Sequence, residues 1–179
     1  MVGGAGGLGR AVVEALRPHH RLAILDLDEA ALARAREQLT DDGDAPQLLV
    51  CDVTDPVSIA SAFRRVEAAL GPVSVLVNVV GIPPTHASAA AIDLEVARRA
   101  WDVNVLGAWA CMQAVIPGMA AMGWGRIVNV TSVSAVDGWR QRSEYAGSKA
   151  ALASLTMTAA VEVAADGITV NAVAPGHMR

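Results

Sequence analysis

Aromatic side chains are scarce: four tryptophans, one phenylalanine and one tyrosine make up 3% of the 179 residues. No basic patch interleaved with aromatics can be assembled from so few, which removes the usual platform for nucleic-acid bases. The net charge of −4 argues the same way, against nucleic acid or an anionic membrane surface as a partner. Cys51 and Cys111 are too few for a disulfide framework, and both lie in apolar stretches that suit buried thiols in a reducing compartment. His19, His20, His86 and His177 lack metal-ligand spacing, so no metal is expected. The turn Asp41-Asp42-Gly43-Asp44 lacks the other ligands of a calcium loop and reads as solvated. No signal peptide is visible, and no uncharged apolar run reads as long enough to span a bilayer, so a cytoplasmic protein is expected. Charged residues reach only 18% against 53% hydrophobic, which suits one domain, residues 1–179, around a large core.

Against that sparse background the single tyrosine stands out. Tyr145 and Lys149 are one helical turn apart in Tyr-Ala-Gly-Ser-Lys, and Ser132 precedes the tyrosine by 13 residues. Positions i and i+4 share a helix face, so an ammonium beside the phenol would favour its ionised form. Such a set can act as a general acid/base (Tyr145) with a second hydroxyl (Ser132) holding a substrate oxygen. The pair alone would equally describe an exposed helix surface.

The amino-terminal stretch Val2-Gly3-Gly4-Ala5-Gly6-Gly7-Leu8-Gly9 is glycine-dense and runs into the apolar helical pattern of residues 10–16. Glycines let backbone approach a pyrophosphate, whose charge is met by free N–H groups at a helix start. The apolar run Leu22-Ala23-Ile24-Leu25 then ends in Asp26, 17 residues after Gly9, a spacing that suits a carboxylate on the adenosine ribose. Asp26 would accept from a ribose diol and repel a 2′-phosphate. No Lys or Arg stands at Leu27 or Gly6, so NAD is favoured over NADP. A methyltransferase can carry a similar loop but leaves Ser132, Tyr145 and Lys149 without a role.

Apolar runs near residues 22–25, 47–50, 73–77, 126–131 and 168–174 read as strands buried on both faces. Helical patterns fall between them, near 8–17, 28–40, 56–70, 93–122 and 143–166. Asp55 caps and Pro56 opens the third helix, while Gly71 and Gly167 end helices. The alternation predicts an α/β fold, a Rossmann-like doubly wound parallel sheet with helices on both faces. Only Met1 and Val2 precede the glycine turn, so the first strand is expected to be nearly absent. The carboxy-terminal strand and helix are expected to be missing.

In order and spacing these motifs resemble the short-chain dehydrogenase/reductase family, from Val2 to Met178. Gly3, Gly7, Leu8 and Gly9 match its glycine turn, though Val2 stands where threonine is usual. Asp52-Val53 matches the pair that contacts adenine. Asn78-Val79-Val80-Gly81 corresponds to the segment ending the fourth strand, with two of four positions departing and the backbone role carried over. Asn104, Ser132, Tyr145 and Lys149 match the catalytic tetrad, and Pro175-Gly176 the turn near the nicotinamide. The resemblance implies hydride transfer between the cofactor and an alcohol or carbonyl substrate, with Tyr145 passing the proton. It implies that Ser132 positions the oxygen, Lys149 binds the nicotinamide ribose, and Asn104 holds a water beside Lys149. It also implies a homodimer or homotetramer through helices 93–122 and 143–166. Without the context of the family, Asn104 could be a capping or packing residue and Ser132 a strand end.

Two matters stay open at this level. The chain could be a catalytically silent nucleotide-binding or interaction fragment. Residues 136–142 should border the pocket, with Trp139 as an apolar wall and Arg140 or Arg142 as an anchor for an acidic group. They could equally form a solvated loop with the tryptophan packed on a neighbouring subunit.

Overall fold

The computed structural model describes residues 1–39 and 45–176. The acidic turn at 41–44 and His177 lie outside them. Among the described residues five parallel strands are present: β1 (Ala23–Asp26), β2 (Gln47–Val50), β3 (Val75–Asn78), β4 (Gly125–Val130) and β5 (Ile168–Val173). Each falls within three residues of its predicted run. β1 pairs with β2, and β3 with β4 and β4 with β5.

Val2 joins the two halves. It bridges to Leu25 of β1 and Asn78 of β3, through bonds from Val2 N–H to the Val77 carbonyl and from Gly3 N–H to the Leu25 carbonyl. The spatial order is therefore β2-β1-Val2-β3-β4-β5. Beneath Met1 the gap between β1 and β3 leaves a cavity of about 410 Å³ lined by Ala23, Leu25, Phe63, Val66, Val75 and Val77.

Among the described residues six α-helices flank the strands: α1 (Gly7–Leu16), α2 (Glu29–Gln38), α3 (Pro56–Leu70), α4 (Leu94–Trp101), α5 (Ala108–Met122) and α6 (Ser143–Val163). Their starts follow from short carboxylates. Asp28, Asp55 and Asp93 each accept a first-turn backbone N–H at 2.9 Å. β1 alternates between two cores, as a strand buried on both faces must. Ile24 packs with Val13 of α1 and Leu32 of α2. Leu25 packs into the larger cluster with Phe63 of α3 and Cys111, Met112 and Val115 of α5. Helices thus cover both faces of the sheet.

Two predicted features are corrected. The helix predicted over 93–122 is not uniform: residues Asp102–Gly107 form a π-helical segment between α4 and α5. The continuous helix Leu94–Met122, 29 residues long with an 18-residue window of mean hydropathy 1.5, is also long and apolar enough by length and composition to cross a membrane. Its Asn104, Cys111, Met112, Val115 and Met119 are instead buried within the fold. The thiols behave as predicted: both are buried, and burial pushes Cys111 up to about 12.

Candidate active site

The carboxyl ends of the strands open into two clefts that meet at Gly81 and Ile82. The first, of about 690 Å³, is lined by Val2, Gly3, Asp26, Asp52, Val53 and Val80 among others. The second, of about 310 Å³, brings together Leu8, Ser132, Arg142, Tyr145, Lys149, Pro175 and Gly176. Residues predicted for the adenosine end and for the chemistry thus fall into adjoining halves of one groove.

The glycine turn is held by close packing. Gly3 has φ +75°, and a Cβ there would lie 2.6 Å from the Val80 nitrogen. A Cβ on Gly9 would strike the Gly3 carbonyl oxygen and come within 2.8 Å of the Gly4 Cα. At Gly7 a Cβ would meet no protein atom within 4 Å. The protein itself therefore does not require a glycine at Gly7, and its bare backbone leaves the start of α1 open to a ligand. Asp26, at the end of β1, is tied to this turn: its two oxygens accept from the Ala5 N–H at 3.1 Å and the Asp28 N–H at 3.3 Å. Asp52 accepts from the Thr54 N–H and hydroxyl at 2.8 and 2.7 Å, and these bonds hold its carboxyl below the ordinary value.

The catalytic half is built on α6 and the end of β4. Ser132 is 8% exposed and extended, and its Oγ accepts from the Ser134 N–H at 3.1 Å, starting a short 3₁₀ turn at Val133–Ala135. Lys149 is buried, donates from Nζ to the Val130 carbonyl at 2.8 Å, and lies 6.0 Å from the centre of the Tyr145 ring. Burial lowers its pKa to about 8.

Asn104 sits in the π-helical segment and is fully buried. Its Oδ1 accepts from the Ile82 N–H at 2.8 Å, and its Nδ2 donates to Ser148 Oγ at 2.9 Å. Ser148 in turn donates to the Tyr145 carbonyl at 2.7 Å. Asn104 therefore braces the loop after β3 against the tyrosine's helix. A Cβ on Gly81 would come within 3.1 Å of both Asn104 Oδ1 and Lys149 Nζ, so a side chain there would crowd both groups.

Asn78 is placed differently from the other predicted residues. Its amide donates to Asn129 Oδ1 at 2.9 Å and to the Ala108 carbonyl at 3.2 Å, inside the core. Asn129 continues that chain to Thr156 Oγ1 at 2.9 Å. Only the backbone after Asn78, at Val79–Ile82, reaches the groove. Two residues escaped the sequence reading. Glu144, next to the tyrosine, is buried and accepts from the Thr85 N–H and hydroxyl at 2.8 and 2.9 Å. Ser148 was quoted there only as part of the tyrosine motif. Neither signals its contact by spacing, because the partners Thr85 and Asn104 lie 59 and 44 positions away.

A serine after β4 and a tyrosine and buried lysine on α6 meet in one groove at the strand ends of an α/β sheet, an arrangement that suits a nucleotide-fold oxidoreductase. The family model for short chain dehydrogenase matches residues 1–179, and the chain belongs to that family, whose members act on CH–OH groups with a nicotinamide cofactor. It is 36% identical to cis-4-hydroxycyclohexanecarboxylate dehydrogenase of Sinomonas cyclohexanicum, over 99% of this chain and 71% of the relative. It is 32% identical to 2-dehydro-3-deoxy-L-rhamnonate dehydrogenase (NAD(+)) of Sphingomonas sp. strain SKA58, over 98% of this chain and 69% of the relative. The crystal structure of NAD+-bound xylitol dehydrogenase superposes with a TM-score of 0.95 at 31% identity, covering 99% of this chain and 69% of that one.

Proposed function

We propose that residues 1–179 are the dinucleotide-binding domain of an NAD-dependent alcohol dehydrogenase or carbonyl reductase in which Tyr145 is the general acid/base. The observation that carries this reading is the meeting of the two clefts at Gly81–Ile82, with Ser132, Tyr145 and Lys149 on one side and Asp26 and Asp52 on the other. A bound nicotinamide supplies the hydride donor or acceptor. The Tyr145 hydroxyl exchanges a proton with the substrate oxygen. Ser132 Oγ, already accepting from Ser134, has its own hydrogen to donate to that oxygen. Lys149, fixed by Val130, serves the nicotinamide ribose, and Asn104 keeps the loop at Ile82 and the tyrosine's helix in register while holding a water beside Lys149.

The cofactor would be held by Gly3, Gly7, Leu8 and Gly9 at the pyrophosphate and by Asp26 at the ribose diol. Asp52 and Val53 would meet the adenine, backbone from Asn78 to Gly81 the second ribose, and Pro175 and Gly176 the nicotinamide. Asp26 favours NAD(H), because its carboxylate would face a 2′-phosphate charge to charge. The NAD named for two similar proteins supports this choice. Two relatives are named for carboxylate-bearing substrates, which points to a hydroxy or keto acid. Exposed Leu106 and Trp109 beside α5, and Met157 and Val161 on α6, suit a homodimer or homotetramer contact. The buried free thiols suit the cytoplasm.

The second reading, a silent nucleotide-binding fragment, is favoured by the shortness of the segment Met1–Gly3 that joins β1 to β3 above the cavity. Fluorescence titration with NADH and NADPH separates the two. Saturable NADH binding, at least about tenfold tighter than NADPH, is expected from a charge clash of a few kcal/mol. Binding of neither would favour the silent fragment.

A further inference from the structure

Arg142 and Lys149 are the two charged residues that line the catalytic cleft, and no aspartate or glutamate among the described residues lines it. Lys149 is engaged by the Val130 carbonyl and lies under the tyrosine. Arg142 is different. It is half-buried at the N-cap of α6, three positions before Tyr145, which puts it on the tyrosine's side of the helix start. Among the described residues no carboxylate pairs with it; the ion pairs found are Arg34–Asp28 and Arg98–Glu95. The acid nearest in sequence on α6, Glu144, has its Oε1 taken up by Thr85.

Among the described residues no anion offsets the partial desolvation of this guanidinium, and a bound anion would. Its Cζ lies over the Trp139 ring, 5.3 Å from the centre. A cation–π contact of this kind leaves the guanidinium N–H groups able to bond a ligand. Planar, two-point bonding is what a carboxylate offers. Arg140, by contrast, is exposed and does not line the cleft.

We infer that the substrate carries a carboxylate, bound by Arg142, while Tyr145 and Ser132 take its hydroxyl or carbonyl oxygen. The inference rests on the proposed dehydrogenase reading for the second half of that statement only. The anion site itself is a property of Arg142 and Trp139. The cleft's 310 Å³ has room for a small ring or a short chain between the two ends.

The test uses an unreactive pair of equal shape, cyclohexanecarboxylate and cyclohexanecarboxamide, titrated into the protein with and without NADH. Tryptophan fluorescence is the readout, and a Trp139→Phe variant identifies the part of the signal that comes from the stacked ring. The expected result is at least tenfold tighter binding of the carboxylate. Arg142→Gln should equalise the two probes, and Arg142→Lys, a charge without the fork, should keep only part of the preference. Equal binding of both probes to the parent would overturn the inference, as would a preference that survives Arg142→Gln. A tenfold loss of NADH affinity in Arg142→Gln with the carboxylate preference unchanged would assign the guanidinium to the cofactor instead, and would also overturn it. Thermal melts of both Arg142 variants check that the fold is intact. The dehydrogenase reading fails separately, if Tyr145→Phe leaves turnover of a hydroxy acid unchanged while the carboxylate preference stands.

Discussion

Lys149 Nζ lies 6.0 Å from the centre of the Tyr145 ring and donates to the Val130 carbonyl at 2.8 Å. The cation is thus fixed by the end of β4, and the tyrosine is set beside it by the helix they share. That arrangement buries an ammonium, lowering its pKa from 10.5 to about 8. The unfolded chain therefore binds the proton more strongly than the folded one. The cost to folding is full below about pH 8 and is relieved as pH rises towards 10.5. That shift corresponds to about 3 kcal/mol. Lys149→Met should raise the melting temperature at neutral pH and flatten the rise between pH 8 and 10. The readout is the difference between the two proteins' melting curves, because raised thiol pKa values oppose the rise in both.

Gly7 and Gly9 should respond differently to the same change. Gly9→Ala places a Cβ on backbone and is expected to cost about 1–3 kcal/mol of stability. Gly7→Ala points into open space and should leave the denaturant midpoint unchanged or slightly raised. Its effect should fall on NADH affinity, read by fluorescence titration.

Asp26 is held by two backbone N–H groups and so faces the groove in one fixed position. Asp26→Ser should narrow the preference for NADH over NADPH by about tenfold or more, since a charge repulsion of a few kcal/mol is removed. Titration of both cofactors against the variant reads this directly.

Glu144 and Thr85 join the loop after β3 to the start of α6 beside the tyrosine. Burial would raise the Glu144 carboxyl, but bonds from Thr85 and from the helix's own first N–H groups outweigh it and leave the group lowered. Charged hydrogen bonds of this kind contribute about 1.5–3 kcal/mol. Glu144→Gln should cost roughly half of that and speed amide hydrogen exchange at Ile82, Thr85 and His86. Adding Thr85→Ala should cost less in Glu144→Gln than in the parent, because the two residues share one interaction.

The strands and helices were legible because the signals that build them are local: apolar runs for the five strands, Asp55 with Pro56 for the start of α3, Gly71 and Gly167 for helix ends. Ser132, Tyr145 and Lys149 were legible as a set because a short turn and one helix carry all three. The π-helical segment was not. An extra residue in a helical turn leaves no mark on apolar periodicity, and the turn at Asp102–Gly107 coincides with a contact from Asn104 to Ile82 and Ser148, residues 22 and 44 positions away. The burial of the Asn78 amide against Asn129 was hidden for the same reason: its partner lies 51 positions along the chain. The length of the apolar helix through Met122 was legible, over 93–122 against the observed Leu94–Met122.

The account turns on Tyr145, and the most direct measurement compares Tyr145→Phe with the parent protein. NAD+ reduction is followed by absorbance over a panel of secondary alcohols and hydroxy acids, with NADH affinity measured alongside. The account predicts that the variant loses turnover by about 10²-fold or more while NADH affinity stays within about twofold. Turnover that survives the loss of the hydroxyl would contradict it.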